Sequence, residues 1–299
     1  MRKINMRQSF TVILLCLVFF SSCENSKQTE TTGSTRLVAD ESLMPIVEDQ
    51  LIVFENIYKN ADIEAQYKHE KAVINDLLKD STKIAITSRT LTPQEASVIE
   101  KRDLKVRVNR FAVDAVTLVS NKNSADTVIT VQEIIDILKG MPSKRQLVFD
   151  NPNSSIVRYL MELADISSLP TKGIYALNSN AEVIKYVHNN LGSIGVIGFN
   201  WIKQPTVELE PLVAELKVMG VKGLPGKSGS DKFYRPSQDN LALENYPLSR
   251  NLYIINCQGG GGLGLGFAAF LAGDVGQRVV LKSGLLPDSM PPREIIIRK

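Results

Sequence analysis

The stretch that decides the fold reads RLVADESLMPIVEDQLIVFENIY and covers residues 36–58. Residues 36–39 predict a short strand, and Ser42 follows just before Met44-Pro45, where proline favours the first turn of a helix. The predicted helix has apolar residues at steps of three and four, which places them on one face: Met44, Val47, Leu51, Phe54 and Tyr58. A strand followed at once by an amphipathic helix indicates an α/β protein.

The same alternation of strand and helix continues to the C-terminus. Thr92-Pro93-Gln94-Glu95 and Thr130-Val131-Gln132-Glu133 both have capping-box spacing, so each predicts the start of a helix. The other predicted strands are 63–67, 84–86, 113–119, 147–149, 174–177, 194–199, 252–257 and 294–297; the other predicted helices lie near 73–78, 156–164, 182–189 and 267–282, with a hairpin over 213–221. Repeated βαβ units of this kind predict mixed sheets with helices on both faces.

The N-terminus has the pattern of a bacterial secretion signal. Arg2, Lys3 and Arg7 precede an apolar run at residues 10–20, which is shorter than the roughly 20 residues that span a bilayer. Ser21-Ser22-Cys23 follows, and it resembles the lipobox of bacterial lipoproteins, in which the cysteine is lipidated and becomes the new N-terminus. Phe20 stands where leucine is commonest, and a secretory signal cut elsewhere is the alternative.

We therefore predict a lipoprotein signal peptide over residues 1–22, a lipid anchor on Cys23 and a polar tether over residues 23–35. A lipoprotein carries more than one acyl chain, which stable anchoring requires. The predicted location is the bacterial cell envelope, on the periplasmic or extracytoplasmic side of a membrane.

Composition argues against several classes of protein. The chain has 35 Lys and Arg against 32 Asp and Glu, and three of the basic residues precede Cys23 in a segment without acidic residues. The remainder is therefore neutral overall, which disfavours a nucleic-acid partner. Cys257, the only cysteine after Cys23, predicts a buried small apolar side chain.

Catalytic and cofactor motifs are weak in this sequence. The two histidines lie far apart, so no metal site is predicted, and no nucleophile elbow indicates an enzyme. Residues 223–228 read GLPGKS, but Val221 stands where a phosphate-binding loop has its first glycine. We predict no cofactor.

Three strand-to-helix junctions hold the polar donors of a candidate anion site. In open α/β sheets ligands bind beyond the carboxyl ends of the strands, where the N–H groups at helix N-termini attract anions. The candidate ligand-binding residues at these junctions are Ser42, Ser88, Arg89, Asn153, Ser154, Ser155 and Arg158. The alternatives are that the Ser and Asn residues are ordinary helix caps and that Arg89 pairs with Glu95.

Several stretches resemble bacterial phosphate-transport substrate-binding proteins of the type found in Bacteroidetes. They include DESLMPIVEDQLIVFE, KDSTKIAITSRTLTPQE, RFAVDAVTLVSN, NSSIVRYLM, YPLSRNLYI and the C-terminal block that begins GFAAFLAGDVGQRVVLKSG. The resemblance implies a two-lobed periplasmic-binding-protein fold of type 2 with two hinge crossings. We name its parts lobe 1, residues 36–113 and 248–299, and lobe 2, residues 114–247.

The same resemblance implies capture of inorganic phosphate between the lobes and its delivery to an ABC-transporter permease. It places Ser42, Ser88 and Arg89 on lobe 1 of the site and Asn153-Ser154-Ser155 on lobe 2. Enteric relatives have an Asp where this chain has Arg89, and that carboxylate accepts the proton of hydrogen phosphate. Asp40, Glu41 or Glu70 are candidates for this role, so another oxyanion such as sulfate or molybdate stays open as the ligand. An envelope sensor or scaffold and a hydrolase with a junction serine also stay open.

Changing Cys23→Ser tests the predicted anchor. Without the thiol that receives the lipid, the chain should leave the membrane fraction or accumulate as an uncleaved precursor. Membrane fractionation and mass spectrometry of the N-terminus measure this. Unchanged processing and unchanged membrane association would contradict a lipid on Cys23.

Overall fold

The computed structural model describes residues 28–290. Its strands are β1 (Gly33–Asp40), β2 (Ala61–Lys68), β3 (Ile84–Thr87), β4 (Arg107–Asn121), β5 (Val128–Thr130), β6 (Gln146–Phe149), β7 (Ile174–Ala176), β8 (Ser193–Gly198), β9 (Leu216–Val218), β10 (Gly220–Lys222), β11 (Ser249–Asn256) and β12 (Leu286–Pro287). Its α-helices are α1 (Met44–Ile57), α2 (Glu70–Leu78), α3 (Pro93–Glu100), α4 (Val131–Leu138), α5 (Ser155–Ala164), α6 (Asn180–Asn189), α7 (Asn200–Lys203), α8 (Glu210–Val213), α9 (Gln238–Ala242), α10 (Leu263–Ala272) and α11 (Asp274–Lys282). A 3-10 turn over Glu41–Leu43 joins β1 to α1.

The long strand β4 connects two groups of strands. Its first half pairs antiparallel with β11, which continues through β3 and β1 to β2, and β12 pairs beside it. Its second half pairs antiparallel with β8 and β9, and β8 continues in parallel with β6 and β7. The partner of β4 changes after Ala115, so one strand belongs to both halves of a mixed sheet. This is the predicted two-lobed α/β architecture with a crossing at β4.

Local sequence signals account for most helix starts. Both predicted capping boxes are confirmed, since the Thr92 and Thr130 hydroxyls accept from the backbone N–H of Glu95 and Glu133 while those carboxylates bond back. The Ser154 side chain caps α5 by accepting from the N–H of Val157. These caps fix the residues at which three helices begin, each within six residues of the end of a strand.

Apolar faces of the helices close a core that spans the described chain. Phe54 of α1 packs against Phe267 and Phe270 of α10, with ring centroids 5.3 Å apart in each pair. Cys257 is buried, as predicted, at the end of β11 beside the α2 and β3 side chains.

Some sequence predictions differ from the structure. The hairpin predicted over 213–221 is wrong, because β9 pairs with β4 and β10 pairs with β5 instead of with each other. The single helix predicted over 267–282 is two helices, α10 and α11, which meet at Gly273 with a bend of 63°. The close approach of the two helices depends on Gly276, because a Cβ there would lie 2.3 Å from the carbonyl oxygen of Phe270.

The chain ends only partly fall within the structure. β1 begins at Gly33, so the last three residues of the predicted tether are part of a strand. The signal peptide, Cys23 and the strand predicted over 294–297 lie outside the described residues. Between residues 28 and 290 no single helix is long and apolar enough to cross a membrane, although the bent pair α10 and α11 passes on length and composition together.

A buried ion pair joins β4 to β11 where the partner of β4 changes. Asp114 and Arg250 lie opposite each other in the strand register, and Arg250 Nε and Nη2 donate to Asp114 Oδ2 at 3.0 and 2.8 Å. Both side chains are almost fully buried. The other Asp114 oxygen accepts from the N–H of Phe199 at 3.2 Å, so the carboxylate is bonded on both sides. Because the other oxygen of Asp114 and Nη1 of Arg250 are also hydrogen-bonded, the pair is satisfied only when β4 and β11 meet in this register.

Loss of one partner of this pair should destabilise the fold strongly. We expect Arg250→Ala to lower the free energy of unfolding by about 3–5 kcal/mol, because an uncompensated carboxylate stays buried. The double variant Arg250→Ala/Asp114→Ala should lose less than the sum of the two single variants. Unfolding in guanidinium chloride measures the free energy of unfolding of the wild type, the two single variants and the double variant.

Arg36→Ala is the matched control. Arg36 also pairs with a carboxylate, that of Glu64, but both side chains are more than half exposed. Its loss should change the free energy of unfolding by less than about 1 kcal/mol. Equal effects at Arg36 and Arg250 would show that burial of the Asp114 pair does not matter.

Candidate functional site

A cavity of about 440 Å³ lies between residues of the two predicted lobes. Glu70, Arg89 and Glu95 line it from the lobe 1 side, and Asn153, Ser154, Arg158 and Glu162 line it from the lobe 2 side. Four of the seven predicted ligand-binding residues therefore face one space. We call this space the arginine cavity.

Strand ends and helix starts position the side chains of this cavity. Ser88 and Arg89 follow β3, and Glu70 is the first residue of α2. Asn153 and Ser154 precede α5, and Arg158 lies one turn into that helix. The backbone N–H of Lys71 donates to the carbonyl of Asn153 at 3.4 Å, which holds the start of α2 beside the start of α5.

Glu70 lies at the centre of the charged groups of the arginine cavity. Its Oε1 accepts from Arg158 Nε at 2.5 Å, and its Oε2 accepts from Arg158 Nη2 at 3.3 Å and from Ser88 Oγ at 3.2 Å. Arg158 Nη2 also donates to Ser88 Oγ at 2.9 Å, and Arg89 Nε lies 3.7 Å from Glu70 Oε1. The Glu70 side chain is only 3% exposed. One carboxylate thus joins the predicted donors of both lobes.

Arg89 also pairs with Glu95, which the sequence analysis gave as the alternative to ligand binding. Its Nη1 and Nη2 donate to the two carboxylate oxygens of Glu95 at 2.7 and 2.8 Å. Hydrogen bonds from Arg89 and from the Thr92 N–H hold the pKa of Glu95 below its usual range. Arg89 therefore lies at the cavity, but its guanidinium fork is turned to a carboxylate of the chain.

Ser42 and Ser155 belong to a separate, buried network. Their hydroxyls are 3.2 Å apart, and Arg250 donates to Ser155 Oγ at 2.7 Å and to Ser42 Oγ at 3.1 Å. Trp201 Nε1 donates to the carbonyl of Ser42 at 3.1 Å. This network joins the two predicted lobes beside the Asp114 pair, and neither serine lines the arginine cavity.

Ser154 combines two roles at the start of α5. Its hydroxyl caps the helix and donates to Asp150 Oδ1 at 2.6 Å. Ser154 is therefore a helix cap, as the alternative interpretation of the sequence stated. It also lines the arginine cavity. Asn153 accepts through its backbone, while its own N–H donates to the Asn151 side chain at 2.9 Å.

Sequence reasoning missed Asp114, Arg250 and Asn180 as parts of the interlobe region. A signal for two of them exists, because Asp114 interrupts the apolar run FAVDAVTLV and Arg250 stands at the start of a strand. A charge inside an otherwise apolar strand needs a buried partner. Asn180 carries no such signal, since it occupies an ordinary position after the helix cap Ser179.

Carboxyl groups from both lobes crowd the region beside Ser42. Asn180 Nδ2 donates to Glu41 Oε2 at 2.6 Å and to Asp150 Oδ2 at 3.2 Å. Asp40 is fully buried, and its Oδ2 has no hydrogen-bond partner among residues 28–290. Burial, assisted by the nearby Glu70 carboxylate, raises the pKa of Asp40 to about 7, although Arg250 opposes the rise. Burial raises the pKa of Glu41 to about 8 against the hydrogen bonds from Asn180.

The donors of the arginine cavity are of the kinds that bind oxyanions in proteins. Within residues 28–290, no group of His, Cys, Asp and Glu side chains has an arrangement that holds a metal. Arginine forks, a serine hydroxyl and the start of a ten-residue helix are groups that recognise an oxyanion.

The fold and this cleft define a class, the two-lobed α/β binding proteins. A family model described as a PBP superfamily domain matches residues 25–275, and the chain therefore belongs to the PBP superfamily. The phosphate-binding protein PstS of Borreliella burgdorferi is 24% identical over 294 residues, which cover 92% of this chain and 97% of that protein.

Solved structures support the same fold. A Clostridium perfringens structure described as a phosphate ABC transporter substrate-binding protein with bound phosphate has a TM-score of 0.68 at 19% identity and covers 86% of this chain and all of that chain. An ABC-type phosphate transport receptor from Vibrio cholerae has a TM-score of 0.62 at 20% identity, covering 85% of this chain and all of that chain. The predicted fold is confirmed, and so is the predicted family resemblance.

The raised pKa values of Asp40 and Glu41 predict a pH-dependent stability. The ordinary pKa values are 3.8 and 4.5, so the unfolded chain ionises these carboxyls at a lower pH than the folded chain does. Their contribution to stability is therefore present below about pH 4 and is lost as the pH rises toward 7 and 8. We expect Asp40→Asn, which keeps the oxygen that accepts from the Ser42 N–H, to gain stability over the wild type as the pH rises from 4 to 8.

Thermal unfolding at several pH values measures this gain. A penalty of about 1 kcal/mol corresponds to roughly 2–4 °C in a chain of this size. The exposed Asp62→Asn controls for the loss of one negative charge. A difference between wild type and Asp40→Asn that does not change with pH would contradict a protonated Asp40.

Proposed function

We propose that this chain is an extracytoplasmic solute-binding lipoprotein that captures inorganic phosphate, or a related oxyanion, between its lobes and delivers it to an ABC-transporter permease. The lipid on Cys23 would hold it at the membrane of the bacterial envelope. The role is binding and delivery, without catalysis. Sulfate and molybdate are the alternative ligands.

The observation that carries this proposal is the pair of arginines in one cavity. Arg89 reaches the arginine cavity from lobe 1 and Arg158 reaches it from lobe 2, beside the start of α5. Guanidinium groups and helix N-termini are the groups that proteins use to bind oxyanions. A ligand bonded from both lobes would also hold the lobes together, as the hinge mechanism of this class requires.

The names of the relatives agree with this ligand. The Borreliella protein is named a phosphate-binding protein, and the Clostridium structure contains phosphate. One fold serves many functions, so the relatives support phosphate only together with the arginine cavity.

The change of partners along β4 supports the proposed lobe boundaries. β4 passes from β11 to β8 after Ala115, close to the proposed boundary at residue 114. The return crossing would lie near residue 248, where the Leu248 carbonyl accepts from the Val116 N–H just before β11 begins. We propose these two places as the hinge.

Calorimetry with phosphate, sulfate and molybdate on the purified chain tests the ligand. We expect Arg158→Ala to weaken phosphate binding by tens-fold or more, because each charge-assisted hydrogen bond contributes about 1.5–3 kcal/mol. Arg89→Ala should weaken it as well, and Arg89→Lys should recover part of the loss, since lysine keeps the charge without the fork.

Arg145→Ala is the matched control for these variants. Arg145 also bonds to two carboxylates, Asp126 and Glu133, and its side chain is 25% exposed against 26% for Arg158. It does not line the arginine cavity. If Arg145→Ala and Arg158→Ala bind phosphate equally well, the arginine cavity is not the site.

A further inference from the structure

The two arginines of the arginine cavity are already bonded to carboxylates of the chain itself. Arg158 donates hydrogen bonds from Nε and Nη2 to the Glu70 carboxylate. Its Nη1 donates to both carboxylate oxygens of Glu162 at 3.0 Å. Arg89 gives its Nη1 and Nη2 to Glu95. The two arginines thus face three carboxylates, and with the exposed Lys71, which also lines the cavity, the positive and negative charges are equal in number.

Of the three carboxylates, Glu70 alone occupies an oxyanion-like position. Glu162 is 63% exposed at the rim, and Glu95 is the capping-box residue of α3. Glu70 is 3% exposed and accepts from donors of both lobes, Ser88 and Arg158, while Arg89 lies 3.7 Å away. An oxyanion held by these same donors would need the space that the Glu70 carboxylate fills.

A phosphate dianion cannot share these donors with an ionised Glu70. The two anions would lie within hydrogen-bond distance of one guanidinium in a largely buried place, where like charges repel far more strongly than in water. Bonding one ligand oxygen to Arg158 Nε and another to Ser88 requires the carboxylate to leave both. Glu70 is the first residue of α2, so a side-chain rotation can move its carboxylate without unfolding a helix.

We infer that Glu70 is an internal competitor for the oxyanion, a carboxylate that fills the anion position and must be displaced when the ligand binds. This inference rests on the proposed function and names the residue that sets its affinity. Glu70 lowers the affinity for every oxyanion that uses Arg158 and Ser88. The chain then binds its ligand only where the concentration is high enough to displace Glu70.

Glu70→Gln tests the competition directly. Glutamine keeps the size of the side chain and an oxygen that can accept from Ser88, but it removes the charge that opposes the ligand. We expect phosphate to bind about tenfold more tightly or better, and sulfate to gain by a similar factor. Calorimetry on the full chain measures both. Glu64→Gln, an exposed carboxylate paired with Arg36, is the matched control and should leave both affinities unchanged.

The sulfate measurement separates competition from the other role open to Glu70. If Glu70 accepted the proton of hydrogen phosphate, Glu70→Gln would weaken phosphate binding and leave sulfate binding unchanged or stronger. That result, or equal phosphate affinity in wild type and variant, overturns the inference and leaves the proposed function intact. If neither protein binds any oxyanion, both the inference and the proposed function fail. Binding by Glu70→Gln alone supports the inference.

A second variant covers the case in which Glu70→Gln does not fold. Glu70→Ala removes the carboxylate and also opens space for the ligand, so it should again bind both oxyanions more tightly than the wild type does. Circular dichroism and the melting temperature without added oxyanion establish that each variant is folded before its affinity is compared.

Discussion

The buried ion pair between Asp114 and Arg250 is the interaction on which the arrangement of the two lobes depends. It sits where β4 leaves β11 and joins β8, and the same guanidinium bonds to Ser42 on one side and Ser155 on the other. A charge taken out of water is tolerated only when its partners satisfy it. Any other register of β4 against β11 would separate Asp114 from Arg250 and leave both charges without their partner.

The same principle of charge satisfaction governs the cleft itself. Every arginine there is bonded to a carboxylate, and burial drives the carboxyls that have no arginine partner toward the neutral form: Asp40, Glu41 and Asp150. The two arginines of the arginine cavity therefore do not present unpaired positive charge to the solvent. Arg89 and Arg158 are held in place by internal carboxylates, and in the proposed site a ligand would have to compete with them. Selectivity then follows from which internal carboxylate can move and which is fixed by other bonds, as Glu95 is by its capping box.

The candidate site was largely predictable because its donors follow general rules of strand ends and helix starts. Ser88, Arg89, Asn153, Ser154 and Arg158 were chosen by their position at junctions, and all but Ser88 line one cavity, while Ser88 bonds to two residues of its wall. Ser42 and Ser155 were chosen by the same rule, yet they lie in the Arg250 network. The position of a residue between a strand and a helix predicts that it lies near the cleft. It does not predict which other side chains that residue will contact.

The amino-acid sequence by itself determined the strand and helix units, the two capping boxes and the α/β class, because these depend on periodicity and on contacts between residues close in the chain. It did not determine that Glu70 meets Arg158, 88 residues away, or that Arg250 meets Ser42, 208 residues away. The break at Gly273 and the separation of β9 from β10 were also decided by packing against distant elements. Such pairings follow from how all elements share one core, so only the tertiary structure assigns each charge its partner.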